Sequence, residues 1–318
     1  KNDLSDINKA IKFLNKNHCV GIPTETVYGL AANAYSSNAT AKIFKLKKRP
    51  KKNPLIVHYF NLQLLKKDCE INDNFLKLYK KYSPGPISYI LKLKKNSLIS
   101  SNVTNKKNTI AVRFPSHPIT RRLLKKLNYP LAAPSANIST RISPVSKNDV
   151  KDEFGKKISL ILDGGQSKIG VESTIINLVN KPQILRLGGI PRDQIRKYLK
   201  FNINFNKKSK VETPGQGKIH YSPYIKLRLN VKYPNKNEAF ILIHKRKGIN
   251  RNHFYLSKNS NLKIAAKNLY KTLRIIKKKR FKSIAVEKIP NKEFGEVLND
   301  RLKRASNFKW LIWLKLKN

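Results

Sequence analysis

Thr24, Glu25 and Thr26 in "IPTETVYGLAANA" (22–34) place two hydroxyls and a carboxylate directly after a short apolar run, and the same arrangement recurs along the chain. His58 closes "NPLIVH", Arg113 follows "TIAV", Ser135 and Asn137 follow "LAAP", Ser173 opens "STIINLV" and Arg186 ends "QILR". Guanidinium groups fork onto carboxylates and phosphates, while Ser, Thr and Asn fix a ligand's orientation. The set suits an anionic, hydroxylated small molecule. Paired carboxylates for acid–base work are missing, and so are a Walker loop, a dinucleotide glycine fingerprint and a zinc signature. The chemistry this leaves is charge stabilisation and positioning, as in phosphoryl or nucleotidyl transfer. Singly, each residue has a plain structural reading. His58 reads as a half-buried histidine with its hydrogen bonds met, Arg113 and Arg186 as two of 68 Lys plus Arg, and Ser135 and Asn137 as turn caps. The run "KLKKRPKKN" (45–53) alone reads as a solvated basic loop. Their common position at strand ends favours a site, because open α/β sheets bind ligands in the crevice beyond those ends.

The elements that position these groups follow from periodicity. Leu4, Ile7, Ala10, Ile11 and Leu14 recur at helical spacing, predicting a helix over 4–16, with Asp3 or Ser5 as its cap, that feeds a strand at 19–22. Asn38 is placed to cap a helix running to about Lys48. Strands are expected at 53–60, 87–93, 109–114, 130–134, 158–162, 174–179 and 183–187. Helices are expected at 73–82, 117–127, 147–154 and 191–199. This mixture, with short connections, predicts an α/β domain over 1–200 built on an open, twisted sheet of mixed direction with flanking helices. Residues 201–224 carry "NKKSKVETPGQGKIHYSPY", whose prolines, glycines and lack of period mark a linker. Beyond it, strands at 239–244, 281–287 and 309–315 and helices at 262–279 and 293–305 predict a smaller α/β domain over 225–318.

The composition bounds the class. At 318 residues with 40% hydrophobic content the chain can bury two cores. Its apolar runs are too short to span a bilayer, and no secretory signal precedes the first motif, so a soluble, cytoplasmic protein is expected. Cys19 and Cys69 cannot build a disulfide framework and read as buried thiols. A formal net charge of +50 predicts affinity for polyanions. The lysines are spread over the whole chain, as an AT-rich genome would impose on a tolerant surface.

The stretches "PTETVYGL", "KLKKRPKKNPLIVH", "SPGPISYIL", "TIAVRFPSHP", "APSANIS", "LILDGGQSKIGVESTIINL", "ILRLGGI" and "TPGQGKIHYSP" stand in the order found in the threonylcarbamoyl-AMP synthase family. The first two hundred positions resemble a YrdC-like domain. The whole chain resembles the family's long form, with a smaller Rossmann-like domain after the linker. The resemblance implies a nucleotidyltransferase that joins L-threonine, bicarbonate and ATP into threonylcarbamoyl-adenylate and releases pyrophosphate. A partner transferase then moves the threonylcarbamoyl group onto tRNA. The family's Lys-x-Arg and Ser-x-Asn tetrad falls on Lys47, Arg49, Ser135 and Asn137. By the same matching, Thr26, His58, Arg113, Ala133 and Ser173 face threonine, and Arg49, Asn53, Thr109, Ser135, Ser143 and Arg186 hold the nucleotide. Mg2+ is expected to arrive bound to ATP, without a protein cage. His220 and Tyr221 lie on a strap expected to close over the cleft. On this matching Tyr28 and Gly29 shape a turn and Glu25 is structural.

The sequence departs from the family pattern at several points. Lys48 replaces the glycine between Lys47 and Arg49, the tryptophan before "PGP" is lost in the Tyr82–Ser83 stretch, and Leu187 stands where "RPG" is usual. Asn177 replaces an aspartate, and Gln216 and Gly217 stand where Met and a basic residue are usual. None removes a tetrad residue. The rival readings are a non-catalytic module binding tRNA or double-stranded RNA, and carbamoyl transfer as in hydrogenase maturation. Two cysteines without zinc-finger spacing argue against the second.

Overall fold

The computed structural model describes residues 4–200, 220–246 and 250–307. These divide into two units. Residues 4–139, 144–168 and 172–200 form the first, and 140–143, 169–171, 220–246 and 250–307 the second.

The first unit is built on eight strands, β1 (Val20–Ile22), β2 (Gly29–Asn33), β3 (Ile56–His58), β4 (Ile87–Lys92), β5 (Thr109–Arg113), β6 (Leu131–Ala132), β7 (Thr174–Asn177) and β8 (Gln183–Arg186), in the order β1-β2-β6-β3-β5-β4-β7-β8. β3 runs parallel to β5 and β4 to β7, while the other neighbours are antiparallel, which gives the mixed sheet expected. Helix Leu4–Asn15 buries Ile7, Ala10 and Leu14 on the stripe that its periodicity marks. With Leu123 and Leu124 of helix Pro118–Lys125 they pack on Val20, Ile22 and Ala31.

Helix Ser37–Lys47 is capped by Ser36, whose side chain accepts the Ala39 N–H, and not by Asn38. Either residue type can cap; the extended backbone of Ser36 decides. The helix ends on Lys48 in a left-handed conformation, with φ at 48°. That explains the family's glycine there, and the exposed lysine side chain meets no obstacle. β2 went unforeseen because "GLAAN" is buried without alternation and contains no β-branched residue. Gly29 accordingly starts β2 instead of shaping a turn. Residues 158–162, expected as a strand, form only an isolated bridge from Ile161 to Gly21, because the chain bends at Ile158 and Ser159.

In the second unit β9 (Lys226–Arg228), β10 (Ala239–Leu242), β11 (His253–Tyr255) and β12 (Ser283–Val286) form a parallel sheet in the order β11-β10-β12-β9. Helices Leu262–Lys278 and Phe294–Ser306 accompany it. β9 and β11 are three residues each, too short to leave a periodic signal. The strand expected at 309–315 and residues 201–219 of the linker lie outside the described residues. Cys19 and Cys69 are buried free thiols, and burial pushes the Cys19 thiol up to about 12.

Candidate active site

Strand register brings the chemistry together. His58 pairs with Arg113 across β3 and β5, Arg113 with Ser88 across β5 and β4, Ser88 with Ile175 on β7, and Ile175 with Arg186 on β8. Residues in register share one face of a sheet. His58, Arg113, Ser88 and Arg186 therefore stand in one row across the first unit. The Ser173 hydroxyl lies 2.8 Å from that of Ser88 and accepts a hydrogen bond from Arg186 Nη2 at 2.9 Å. Arg186 Nε donates to the Ser173 carbonyl at 3.0 Å. Two positions along the strands the same face turns apolar, with Ile56, Ala111 and Ile90 packed together. Two further on it turns polar again at Thr109, which pairs with Lys92. A cavity of about 1010 Å³ opens on this end, lined by Thr109, Lys92, Ile90, Ala111 and Asn177 among others. Arg113 and Thr109 thus lie on one strand face, four residues and roughly 13 Å apart.

The first turn of the fold closes the row at its polar end. Thr26 is buried, with its hydroxyl 2.8 Å from that of Thr24, and Thr24 Oγ1 also donates to the Val27 carbonyl at 2.6 Å. The tyrosine of the motif anchors this turn from below: Tyr28 donates to the Gly165 carbonyl at 2.8 Å and accepts the Gly164 N–H at 3.0 Å. Ala133 continues β6, its N–H bonded to the Ile56 carbonyl at 2.9 Å.

The tetrad residues form a second group. Lys47 is buried at the end of its helix, and its ammonium donates to the backbone carbonyls of Ser135 and Asn137, both at 2.5 Å. One lysine therefore holds the Ser-x-Asn loop by its backbone. Burial, and then the neighbouring Arg49, hold the Lys47 ammonium well below the ordinary lysine value. Arg49 donates to the Asn53 and Pro54 carbonyls at 3.0 and 2.9 Å, so Asn53 orients Arg49 through its main chain. Burial and the approach of Arg186 bring the Arg49 guanidinium down to about 10. Arg49 also lines a groove with exposed Lys45, Lys51 and Lys106. Like charges gathered in this way suit a polyanionic ligand, whose binding relieves their repulsion.

His58 is buried with Nδ1 lacking a hydrogen-bond partner, and burial, then Arg113, push it well below the ordinary histidine value. It is a neutral imidazole at physiological pH.

Ser143 is buried on segment 140–143, and His220 and Tyr221 also belong to the second unit. Tyr221 packs 5.6 Å from the Tyr270 ring at an interplanar angle of 23°, with the Arg301 guanidinium 4.7 Å from its own centroid. Ser222 N–H bonds the Thr140 carbonyl at 2.8 Å, tying this strap to the segment that follows the Ser-x-Asn loop in the chain.

Two residues near the row escaped the sequence reading. Ser88 shows only as a hydroxyl in a strand buried on both faces. Glu25, read as structural, forms a buried ion pair with Arg113 at 2.7 Å.

The fold is that of an α/β protein with a mixed eight-stranded sheet, one face of which carries His58, Arg113, Ser88 and Arg186 in a single row. The chain belongs to the Sua5–YciO–YrdC family: residues 12–188 match that family's model, described as "Telomere recombination", and residues 190–307 match the model for the threonylcarbamoyl-AMP synthase C-terminal domain. Threonylcarbamoyl-AMP synthase of Pyrococcus abyssi is 35% identical, covering 94% of each chain. That of Schizosaccharomyces pombe is 40% identical over 69% of this chain and 62% of its own. The crystal structure of P. abyssi Sua5 complexed with L-threonine superposes with a TM-score of 0.87 at 32% identity, covering 95% of this chain and 94% of that one. With relatives so named, the chain is an enzyme of the nucleotidyltransferase type.

Proposed function

We propose that the protein is an L-threonylcarbamoyladenylate synthase. It would convert L-threonine, bicarbonate or CO2, and ATP into threonylcarbamoyl-AMP and pyrophosphate, supplying the group that a downstream transferase places on tRNA. One observation carries this reading: Arg113 and Thr109, one suited to a carboxylate and the other to a nucleotide, share a strand face separated by an apolar band. The support from relatives lies in their names and in a neighbour crystallised with L-threonine.

In this reading threonine lies at the His58–Arg113–Ser88 row, its carboxylate on Arg113 and its polar groups among Thr26, Ser173 and the neutral His58, with Ala133 beside them. The adenosine extends over Ile56, Ala111 and Ile90 toward Thr109. The reacting α-phosphate sits at the junction of the two, where Arg49 and Arg186 converge. The threonine amine, having given up the ammonium proton to solvent, adds to CO2 and releases a second proton to give a carbamate. A carbamate oxygen then attacks the α-phosphorus, and the bond to the pyrophosphate oxygen breaks. Attacking and attacked groups are both anionic, so the barrier is largely their repulsion. Arg49 and Arg186 offset it directly. Lys47 acts through its charge and by fixing the Ser135–Asn137 loop, whose Ser135 would contact the nucleotide. Among the described residues no group of three or more His, Cys, Asp and Glu side chains is placed to hold a metal ion. Mg2+ would arrive with the triphosphate and supply positive charge for the leaving pyrophosphate.

One charge-assisted contact of this kind supplies roughly 2 to 4 kcal/mol to the transition state. Arg49→Ala and Lys47→Ala are therefore expected to slow adenylate formation by at least about a hundredfold. Single-turnover rates measured on folded variants check this, and near-normal rates would remove the tetrad from the chemistry.

A further inference from the structure

We propose that Glu25 is the positioning residue of the threonine subsite: it orients Arg113 for one carboxylate and cancels the charge that would otherwise draw phosphates to that end. The inference rests on the synthase reading above and assigns within it a residue that the family matching leaves as structural.

Glu25 and Arg113 are 6% and 4% exposed, so both are buried in the apo protein. Glu25 Oε1 accepts from Arg113 Nη2 at 2.7 Å, and Oε2 accepts the Ser116 N–H at 3.1 Å. The carboxylate is thus held at both oxygens, one by the guanidinium and one by the main chain just beyond β5. Arg113 Nε points to the Gly85 carbonyl at 3.4 Å. Nη1 makes no hydrogen bond to any described residue. The guanidinium is consequently fixed along one edge, with a donor left over beside His58 and Ser88, its partners in register.

Stability alone does not account for this pair. A buried ion pair recovers little more than its own desolvation cost, and an apolar pair of similar volume would serve the core as well. What the pair provides is direction and neutrality. Three arginines serve this ligand face. Arg49 and Arg186 approach each other as like charges, and Arg113 is paired with Glu25. A triphosphate would meet the first two. A zwitterionic amino acid fits the third, where its carboxylate meets an oriented donor and its ammonium meets no net positive charge. Glu25 would in this way keep phosphates off Arg113 and leave it to the threonine carboxylate.

The test compares the wild type with Glu25→Gln and Glu25→Ala in steady-state pyrophosphate release, varying threonine and ATP separately, and in direct calorimetric binding of threonine. Glutamine keeps the volume but can satisfy only one of the two donors, Arg113 Nη2 or Ser116 N–H, and carries no charge. It therefore reports even if the alanine variant fails to fold. The expected result is a KM for threonine raised about tenfold or more, a KM for ATP within about twofold of wild type, and pyrophosphate that now competes with threonine. A folded glutamine variant with an unchanged threonine KM, or with both KM values raised by the same factor, would overturn the role. Absence of threonine-dependent turnover in the wild type would overturn the synthase reading itself and this inference with it.

Discussion

His58 shows most directly how a single residue's surroundings set its chemistry. Burial and the Arg113 charge keep it neutral, so the folded protein binds no proton there at a pH where the unfolded chain does. Below the ordinary histidine value the unfolded state gains that proton and the folded state does not. Stability therefore falls as pH drops through about 6.5 toward the lower folded value, by up to about 1.4 kcal/mol per pH unit. His58→Gln is expected to flatten this part of the pH–stability curve, measured by denaturant unfolding between pH 7 and 5. An unchanged slope would mean that His58 is protonated in the folded protein. The tetrad behaves differently from what its residue types suggest. Lys47 spends its donors on two backbone carbonyls, so its removal should loosen the loop as well as remove a charge. Arg49→Ala should likewise remove a charge and release the Asn53 and Pro54 carbonyls. At this scale the sequence was legible wherever a polar group ended an apolar run, as at His58, Arg113 and Arg186. It read Glu25 only as structural, because a carboxylate's partner eighty-eight positions away leaves no local mark.

At the scale of elements, the row of site residues depends on strand register and on a close approach behind it. A side-chain carbon added to Gly188 would lie 2.3 Å from the Glu172 carbonyl oxygen and 2.4 Å from the Ser173 carbonyl carbon. These are backbone atoms that cannot swing aside, so Gly188→Ala should separate the end of β8 from Ser173 and break the Arg186–Ser173 contacts. The expected outcome is a loss of about 1–3 kcal/mol in stability, typical of overpacking, together with weaker binding of both threonine and ATP. Thermal unfolding and the two dissociation constants check it, and unchanged affinities in a folded variant would sever Arg186 from Ser173. The helices and long strands of the first unit were readable because their apolar stripes run for several turns or pairs. β2, β9 and β11 were not, since a three- to five-residue strand of small or isolated apolar residues has no period to detect. The opposite error, a strand at 158–162, came from an apolar run that bends before it can pair along its length.

For the whole molecule, 68 Lys plus Arg against 18 Asp plus Glu dominate long-range behaviour. Such a charge is expected to draw RNA by counterion release, which supplies affinity without sequence preference. The expected binding to tRNA and to an unrelated RNA duplex is similar, and it should fall together by orders of magnitude between 50 and 200 mM salt. Filter binding at several salt concentrations measures it, and a tRNA preference that survives high salt would point to a dedicated RNA surface. Polyanion affinity of this sort coexists with catalysis and does not require the tetrad. No helix among the described residues is long and apolar enough to cross a membrane. The central claim is that the two ends of one sheet face bring threonine and ATP into reaction. The measurement that tests it most directly is pyrophosphate release by the purified chain with ATP, Mg2+ and bicarbonate, with and without L-threonine, followed by mass detection of the product. Threonine-dependent release with the mass of threonylcarbamoyl-AMP is the predicted result; a folded protein that binds RNA but releases no pyrophosphate on adding threonine would contradict it.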